Sequence, residues 1–219
     1  MNPRPGRPGH PTLIALLLVA FAMILGCAIA AGELLELAER PDGSTAFDTP
    51  ITSWMVAHRA QGLTTLAHAF STIGSQIVLT PVSVVLAAAL VMRRRFVLAG
   101  MLISAWGGAI LLYNLAKLFV QRQRPPMAIW LTNVGKTTSF PSGHGTQSLA
   151  TFLALALVGA AWLSKPRPPA VAVGLVLAAG VGWSRVYLGV HWTTDVLAGW
   201  LIGAVWVAAI VRLSAAGRQ

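Results

Sequence analysis

The sequence predicts an all-α protein, a bundle of six membrane-crossing helices with an interfacial helix between the first and second spans. Three observations carry this. Of 219 residues, 56% are hydrophobic and only 10% are charged, with a mean hydropathy of +0.70. A soluble domain carries about 25% charged residues, so the deficit points to lipid as the main solvent. The apolar residues gather in runs long enough to cross a bilayer, which takes about 20 residues of helix. Finally, the charges segregate once those runs are read as spans. The formal net charge of +10 would suggest nucleic acid in a soluble protein. Its distribution assigns it to membrane topology instead, and no nucleic-acid partner is expected.

In chain order, residues 1–11 read as a short basic cytoplasmic tail, residues 12–212 as a single membrane domain and residues 213–219 as a C-terminal tail. The first span covers 12–31. Arg4, Arg7, the apolar core and Ala28-Ile29-Ala30 also resemble a secretory signal with its cleavage site, but the run is longer than a signal core of about 7–15 residues. A polar stretch from Glu33 to Asp48 follows. Thr49 then reads as an N-cap with Pro50 at the first helical position. Ile51, Trp54 and Met55 start an apolar stripe that Leu66, Ala69 and Ile73 resume, with His58 and Gly62 between them. This predicts a helix over 50–70, lying at the interface or packed on the bundle. The remaining spans are expected at 75–92, 96–116, 145–163, 170–188 and 193–212, with Pro81 near the start of the second span, where a bundle tolerates it. The single cysteine, Cys27, lies in an apolar run, so neither a disulfide framework nor a thiolate metal site is expected.

Basic residues in short loops set orientation. With a cytoplasmic N-terminus, Arg4, Arg7, Arg93, Arg94, Arg95, Lys165, Arg167, Arg212 and Arg218 fall on the cytoplasmic side, with no acidic residue among them. Glu33, Glu36, Glu39, Asp42, Asp48 and Asp195 all fall on the other side, together with Arg40, Arg59, Lys117, Arg122, Arg124, Lys136 and Arg185. Basic residues on that outer side need a separate explanation.

Three clusters at that face supply it. Lys117 and Arg124-Pro125 end the third span, two helical turns apart, and they share a face if the helix continues to the proline. Pro141-Ser142-Gly143-His144 precedes the fourth span, and Ser184-Arg185 with His191 and Asp195 links the fifth to the sixth. Histidine and aspartate at i, i+4 spacing let the carboxylate reach the imidazole. Each cluster alone has a plainer reading: headgroup anchors for Lys117 and Arg124, an N-cap for Ser142, a structural pair for His191 and Asp195. Their convergence at one membrane face is better explained by function, since ionisable groups near membrane depth are costly.

The set suits a phosphate. Lys117, Arg124 and Arg185 neutralise phosphate oxygens, arginine bidentately. Ser142, Gly143 and His144 at a helix start offer backbone N–H groups to the same anion, and Gly143 lets the backbone approach it. Asp195 would hold His191 in the tautomer that attacks phosphorus, and His144 is the candidate proton donor to the leaving group. Those same cations would repel a divalent ion, so no metal site and no cofactor are expected. His10 sits in the tail, while His58 and His68 read as surface packing of the interfacial segment.

Read together, Lys117…Arg124-Pro125, Pro141-Ser142-Gly143-His144 and Ser184-Arg185…His191…Asp195 resemble the three-part signature of the type 2 phosphatidic acid phosphatase superfamily, which also holds the vanadium haloperoxidases. Every fixed residue type of that signature is present in order, over residues 117–195. The resemblance implies a membrane lipid phosphatase in which His191 forms a phosphohistidine, His144 protonates the leaving group and Asp195 orients His191. It further implies that Lys117, Arg124, Ser142, Gly143 and Arg185 hold the phosphate without a metal. Expected substrates are lipid phosphates such as phosphatidic acid, phosphatidylglycerol phosphate or undecaprenyl diphosphate, and the expected setting is a bacterial inner membrane with the site facing the periplasm or exterior. A phosphotransferase would use the same residues, and a lipid transporter would use the cations alone.

Overall fold

The computed structural model describes residues 13–216, apart from positions 42 and 136. The expected tail 1–11, residues 217–219, and with them Arg4, Arg7, His10, Asp42, Lys136 and Arg218 lie outside the described residues. The described chain is helical: α1 (Leu13–Leu37), α2 (Asp48–Ala57), α3 (Gln61–Ile73), α4 (Gln76–Met92), α5 (Phe96–Phe119), a 3₁₀ turn (Met127–Ile129), α6 (Gly143–Trp162), α7 (Arg167–Tyr187) and α8 (Thr193–Ala216). It contains no strand among the described residues.

Helices α1, α5, α6, α7 and α8 are each long and apolar enough to cross a membrane. Helix α4 has 17 residues, and it reaches spanning length only together with α3, from which it is bent by 40°. The outside of the bundle is apolar: Ile14, Leu18, Met23, Ile77, Val85, Met92, Val176 and Leu201 are all exposed. That surface is costly in water and fitting in hydrocarbon.

At the centre lies α6, which packs against α5, α7 and α8. The core between them is built from small residues such as Ala105, Ala109, Ala116, Ala150 and Ala154, which let helices approach where no hydrophobic drive acts between them. Helix α8 comes close to α6 at Gly199 and Gly203. A Cβ on Gly199 would lie 2.8 Å from the Ser142 carbonyl oxygen, and one on Gly203 would lie 2.7 Å from that of Thr146. Backbone therefore rests on backbone, and the start of α8 is pressed against the start of α6.

Three expectations are corrected. The segment 50–70 is two helices, not one. It breaks at His58-Arg59-Ala60 because Arg59 turns inward, its Nη2 donating to the carbonyls of Ile129 (2.7 Å) and Tyr187 (2.9 Å). The Tyr187 hydroxyl accepts from the Ala60 N–H at 3.0 Å, which holds Ala60 extended at the start of α3. His58 stacks on Trp54, as a packing residue would. The second correction concerns α5, which stops at Phe119, short of Pro125, with Val120 already extended. Lys117 and Arg124 therefore do not share a helical face, and Arg124 lies in the connection between α5 and α6. At the other boundary, α8 continues to Ala216, beyond the end expected at residue 212.

Candidate active site

The N-termini of α6 and α8 and the C-termini of α5 and α7 meet at one end of the bundle. Together with the start of α4 they enclose a cavity of about 370 Å³. It is lined by Lys117, Arg124, Gly143, His144, Arg185 and His191 among the residues singled out above, and by Ser75, Gln76 and Tyr113, which the sequence did not reveal. The cations come from three separate elements, and each has been partly committed. Lys117 Nζ donates to the carbonyls of Thr138 (2.6 Å) and Ser139 (3.2 Å), which leaves one ammonium proton. Arg185 Nη1 donates to Ser71 Oγ at 2.5 Å, while its buried Nε has no hydrogen-bond partner among the described residues.

Arg124 is the most fully anchored. Its Nε and Nη2 donate to the Thr137 carbonyl (2.9 Å) and hydroxyl (2.8 Å), and its Nη1 to the Val190 carbonyl (2.5 Å). Nη1 also lies 3.1 Å from His191 Nε2. Arginine has only donors, so Nε2 accepts, and the ring proton of His191 must be on Nδ1. That atom lies 3.4 Å from Asp195 Oδ2. His191 is thus held in the tautomer that leaves Nε2 unprotonated at the cavity, its lone pair shared with the Arg124 N–H. Burial, reinforced by the charges of Arg124, Lys117 and Arg185, keeps its basicity well below the ordinary histidine range. The ring is therefore neutral at physiological pH. Burial likewise lowers the Arg124 pKa, with no consequence for a group that stays charged.

Asp195 lies behind the ring, outside the cavity. The i, i+4 spacing is not that of a helix here, since α8 begins at Thr193 and His191 precedes it. Asp195 reaches back from the first turn of α8 to accept the Trp192 N–H at 2.9 Å, much as the third residue of a capping box does. This places the carboxylate beside the imidazole. Ser142, by contrast, does not line the cavity. It is the N-cap of α6, with its Oγ accepting the Gly145 N–H at 3.3 Å, and it supplies the helix start that presents Gly143 and His144.

Sequence reasoning also missed what surrounds Asp195. Ser139 Oγ donates to Asp195 Oδ2 at 2.5 Å. Arg122, which the charge count had left without a role, is fully buried. It donates through Nη1 to Asp195 Oδ1 (2.6 Å) and Thr194 Oγ1 (2.6 Å) and through Nη2 to Asp48 Oδ2 (2.8 Å). No spacing rule links positions 48, 122 and 195; only a second arginine inside the first motif hinted at the cluster.

The fold is an apolar helical bundle with a cation-lined, histidine-bearing cavity at one end, and comparison places it in a family: residues 96–218 match the PAP2 superfamily, and the chain belongs to it. It is similar to phosphatidylglycerophosphatase B of Bacillus subtilis (strain 168), at 28% identity over 173 residues, 78% of this chain and 84% of that protein. It is also similar to decaprenylphosphoryl-5-phosphoribose phosphatase of Mycobacterium tuberculosis (strain ATCC 25618 / H37Rv), at 35% identity over 132 residues, 58% of this chain and 65% of that protein. The crystal structure of a transmembrane PAP2 type phosphatidylglycerolphosphate phosphatase from Bacillus subtilis matches with a TM-score of 0.72 at 25% identity, covering 91% of this chain and 94% of that one.

Proposed function

We propose that this protein is an integral membrane phosphatase that hydrolyses a phosphomonoester or diphosphate of a lipid through a phosphohistidine, without a metal. The observation that carries the reading is His191: a buried neutral imidazole with Nδ1 toward Asp195 and Nε2 at a cavity shared with Lys117, Arg124, Arg185 and His144. In this mechanism an arriving phosphate oxygen takes over the Arg124 Nη1 donor, and Nε2 attacks phosphorus. The P–O bond to the lipid breaks, and its oxygen takes a proton from His144. Water then attacks phosphorus, the P–N bond breaks, His144 recovers a proton from the water, and inorganic phosphate leaves. The cations neutralise the equatorial oxygens throughout, Gly143 and the start of α6 add backbone donors, and Ser142 shapes that helix start.

In the same reading the α3–α4 pair is one bent span, making six in all, and α2 is the interfacial helix. Arg93, Arg94, Arg95, Lys165, Arg167 and Arg212 lie at helix ends remote from the cavity in sequence, and positive charge favours the cytoplasm. The cavity therefore faces the periplasm or exterior of a bacterial inner membrane, with both termini cytoplasmic.

The test is a phosphate-release screen of purified protein in detergent over phosphatidic acid, phosphatidylglycerol phosphate and undecaprenyl diphosphate, with EDTA present. Release from at least one, with an acid-labile phosphoenzyme absent in His191→Ala, is expected. Release only with an added acceptor lipid would make it a phosphotransferase. Turnover that survives His191→Ala, or that needs added metal, would overturn the mechanism.

A further inference from the structure

A second polar cluster adjoins the cavity through Asp195, and the mechanism above does not use its other members. Arg122 is buried among three carboxylates on different elements. Beyond its bonds to Asp195 and Asp48, its Nε lies 2.6 Å from Glu39 Oε1, without hydrogen-bond alignment. Asp48 is held in turn. Its Oδ1 accepts the Thr194 N–H at 2.9 Å, and its Oδ2 accepts the Thr45 hydroxyl at 2.9 Å. The main chain of Arg122 also takes part, because its carbonyl accepts the Ser139 N–H at 2.8 Å. A closed circuit results, running from the Arg122 side chain to Asp195 Oδ1, from Oδ2 to Ser139 Oγ, and from Ser139 N back to the Arg122 carbonyl. A buried arginine needs a carboxylate, but it does not need three. The excess calls for an explanation.

Charge is layered around His191. Lys117, Arg124 and Arg185 line the cavity with His191, while Asp195, on the Nδ1 side of the ring, joins Asp48 and Glu39 around Arg122. A free Asp195 carboxylate so close to the cavity cations would turn toward them, because an ion pair in a dry site is strong. It would then leave Nδ1 of His191 and occupy the donors that a phosphate needs.

We propose that Arg122, anchored by Asp48, is a positioning residue that takes one oxygen of Asp195, so that the other stays on His191 and the carboxylate is withheld from the phosphate-binding cations. This deepens the phosphatase reading and rests on it. Arg122 does two separable things here. It aligns the nucleophile, and it guards the anion pocket against an internal competitor.

Those two effects give a test that a merely structural role would not pass. Arg122→Gln, Arg122→Lys, Asp195→Asn and the double variant Arg122→Gln/Asp195→Asn are purified in detergent. For each, kcat and the inhibition constant of vanadate are measured. Arg122→Gln is expected to lower kcat by about 100-fold, the scale of a nucleophile displaced by about an ångström, and to weaken vanadate by about 10-fold as Asp195 turns to the cations. In the double variant, the neutral amide at position 195 cannot compete, so vanadate affinity returns to the wild-type value. Its kcat matches that of Asp195→Asn alone, because Arg122 acts through Asp195. Arg122→Lys keeps a charge but loses the fork, and falls between. Wild-type kcat in Arg122→Gln, losses that multiply in the double variant, or vanadate binding that stays weak there would each overturn the proposal. Where Arg122→Gln does not fold, Asp48→Asn reports in its place: the anchor is loosened with Arg122 present, and unchanged kcat would again overturn it. Wild-type protein that neither releases lipid phosphate nor is inhibited by vanadate sinks the phosphatase reading itself, a result distinct from a wild-type-like Arg122→Gln.

Discussion

Substituting Gly199 by alanine tests whether the close seam between α8 and α6 sets the catalytic geometry. The added Cβ would lie 2.8 Å from the Ser142 carbonyl oxygen and 2.9 Å from Thr146 Oγ1, where ordinary contact begins near 3.4 Å. Ser142 is the N-cap of α6 and Thr146 is in its first turns, so neither is the free end of a flexible side chain. Relief requires α8 to move from α6 by about 0.6 Å, and overpacking of this kind costs about 1–3 kcal/mol. The same movement separates His191 and Asp195, at the start of α8, from Gly143 and His144, at the start of α6. A misplacement of about 1 Å in a reacting group can cost about 100-fold, so a loss of about 10-fold or more in kcat is expected. Phosphate release in detergent gives kcat, and thermal unfolding of the same preparation gives stability. A Gly199→Ala protein with wild-type values of both would refute the seam as the element that sets the site.

Further outcomes follow from individual contacts. His144→Ala and His191→Ala are each expected to abolish phosphate release, and only His191→Ala should also remove the trapped phosphoenzyme; turnover in either would be contrary. Arg124→Lys exchanges a fork anchored at Thr137 and Val190 for a point charge, and kcat/KM should fall by about 10–100-fold, an interaction of the strength of a charged hydrogen bond. The proposed mechanism needs neutral His191, whose pKa is lowered by burial first and by Arg124, Lys117 and Arg185 next. Activity is therefore kept as pH falls through 6.5 and lost only well below it. An acid limb of kcat/KM at or above 6.5, corrected for titration of the substrate, would contradict this. Vanadate, which takes the five-coordinate geometry of the attacked phosphorus, should inhibit, and EDTA should not.

Much of the architecture was legible because lipid is an unforgiving solvent. A chain that buries helices in hydrocarbon must write them as apolar runs of fixed length, and spans one and three to six were read within several residues of their helices. The order of residue types Lys117, Arg124, Ser142, Gly143, His144, Arg185, His191 and Asp195 suggested phosphate chemistry, and the structure brings Lys117, Arg124, Gly143, His144, Arg185 and His191 to one cavity, with Ser142 and Asp195 beside it. The helix break at Arg59 was hidden, since the apolar stripe resumes beyond it and only the carbonyls of Ile129 and Tyr187 explain the turn.

What the sequence determined by itself was therefore composition-driven: helical class, apolar spans and the chemical inventory of the site. Tertiary structure alone decided which of those groups meet. Arg122 and Asp48 are 74 positions apart, and Asp195 lies beyond both, so no periodicity of helix or loop could pair them. Their contact depends on docking: Gly199 and Gly203 let α8 settle against α6, and α5 ends at Phe119, so that Arg122 lies beyond the helix. Local pattern records how each segment meets its solvent, whereas the partner of a buried charge is chosen by docking.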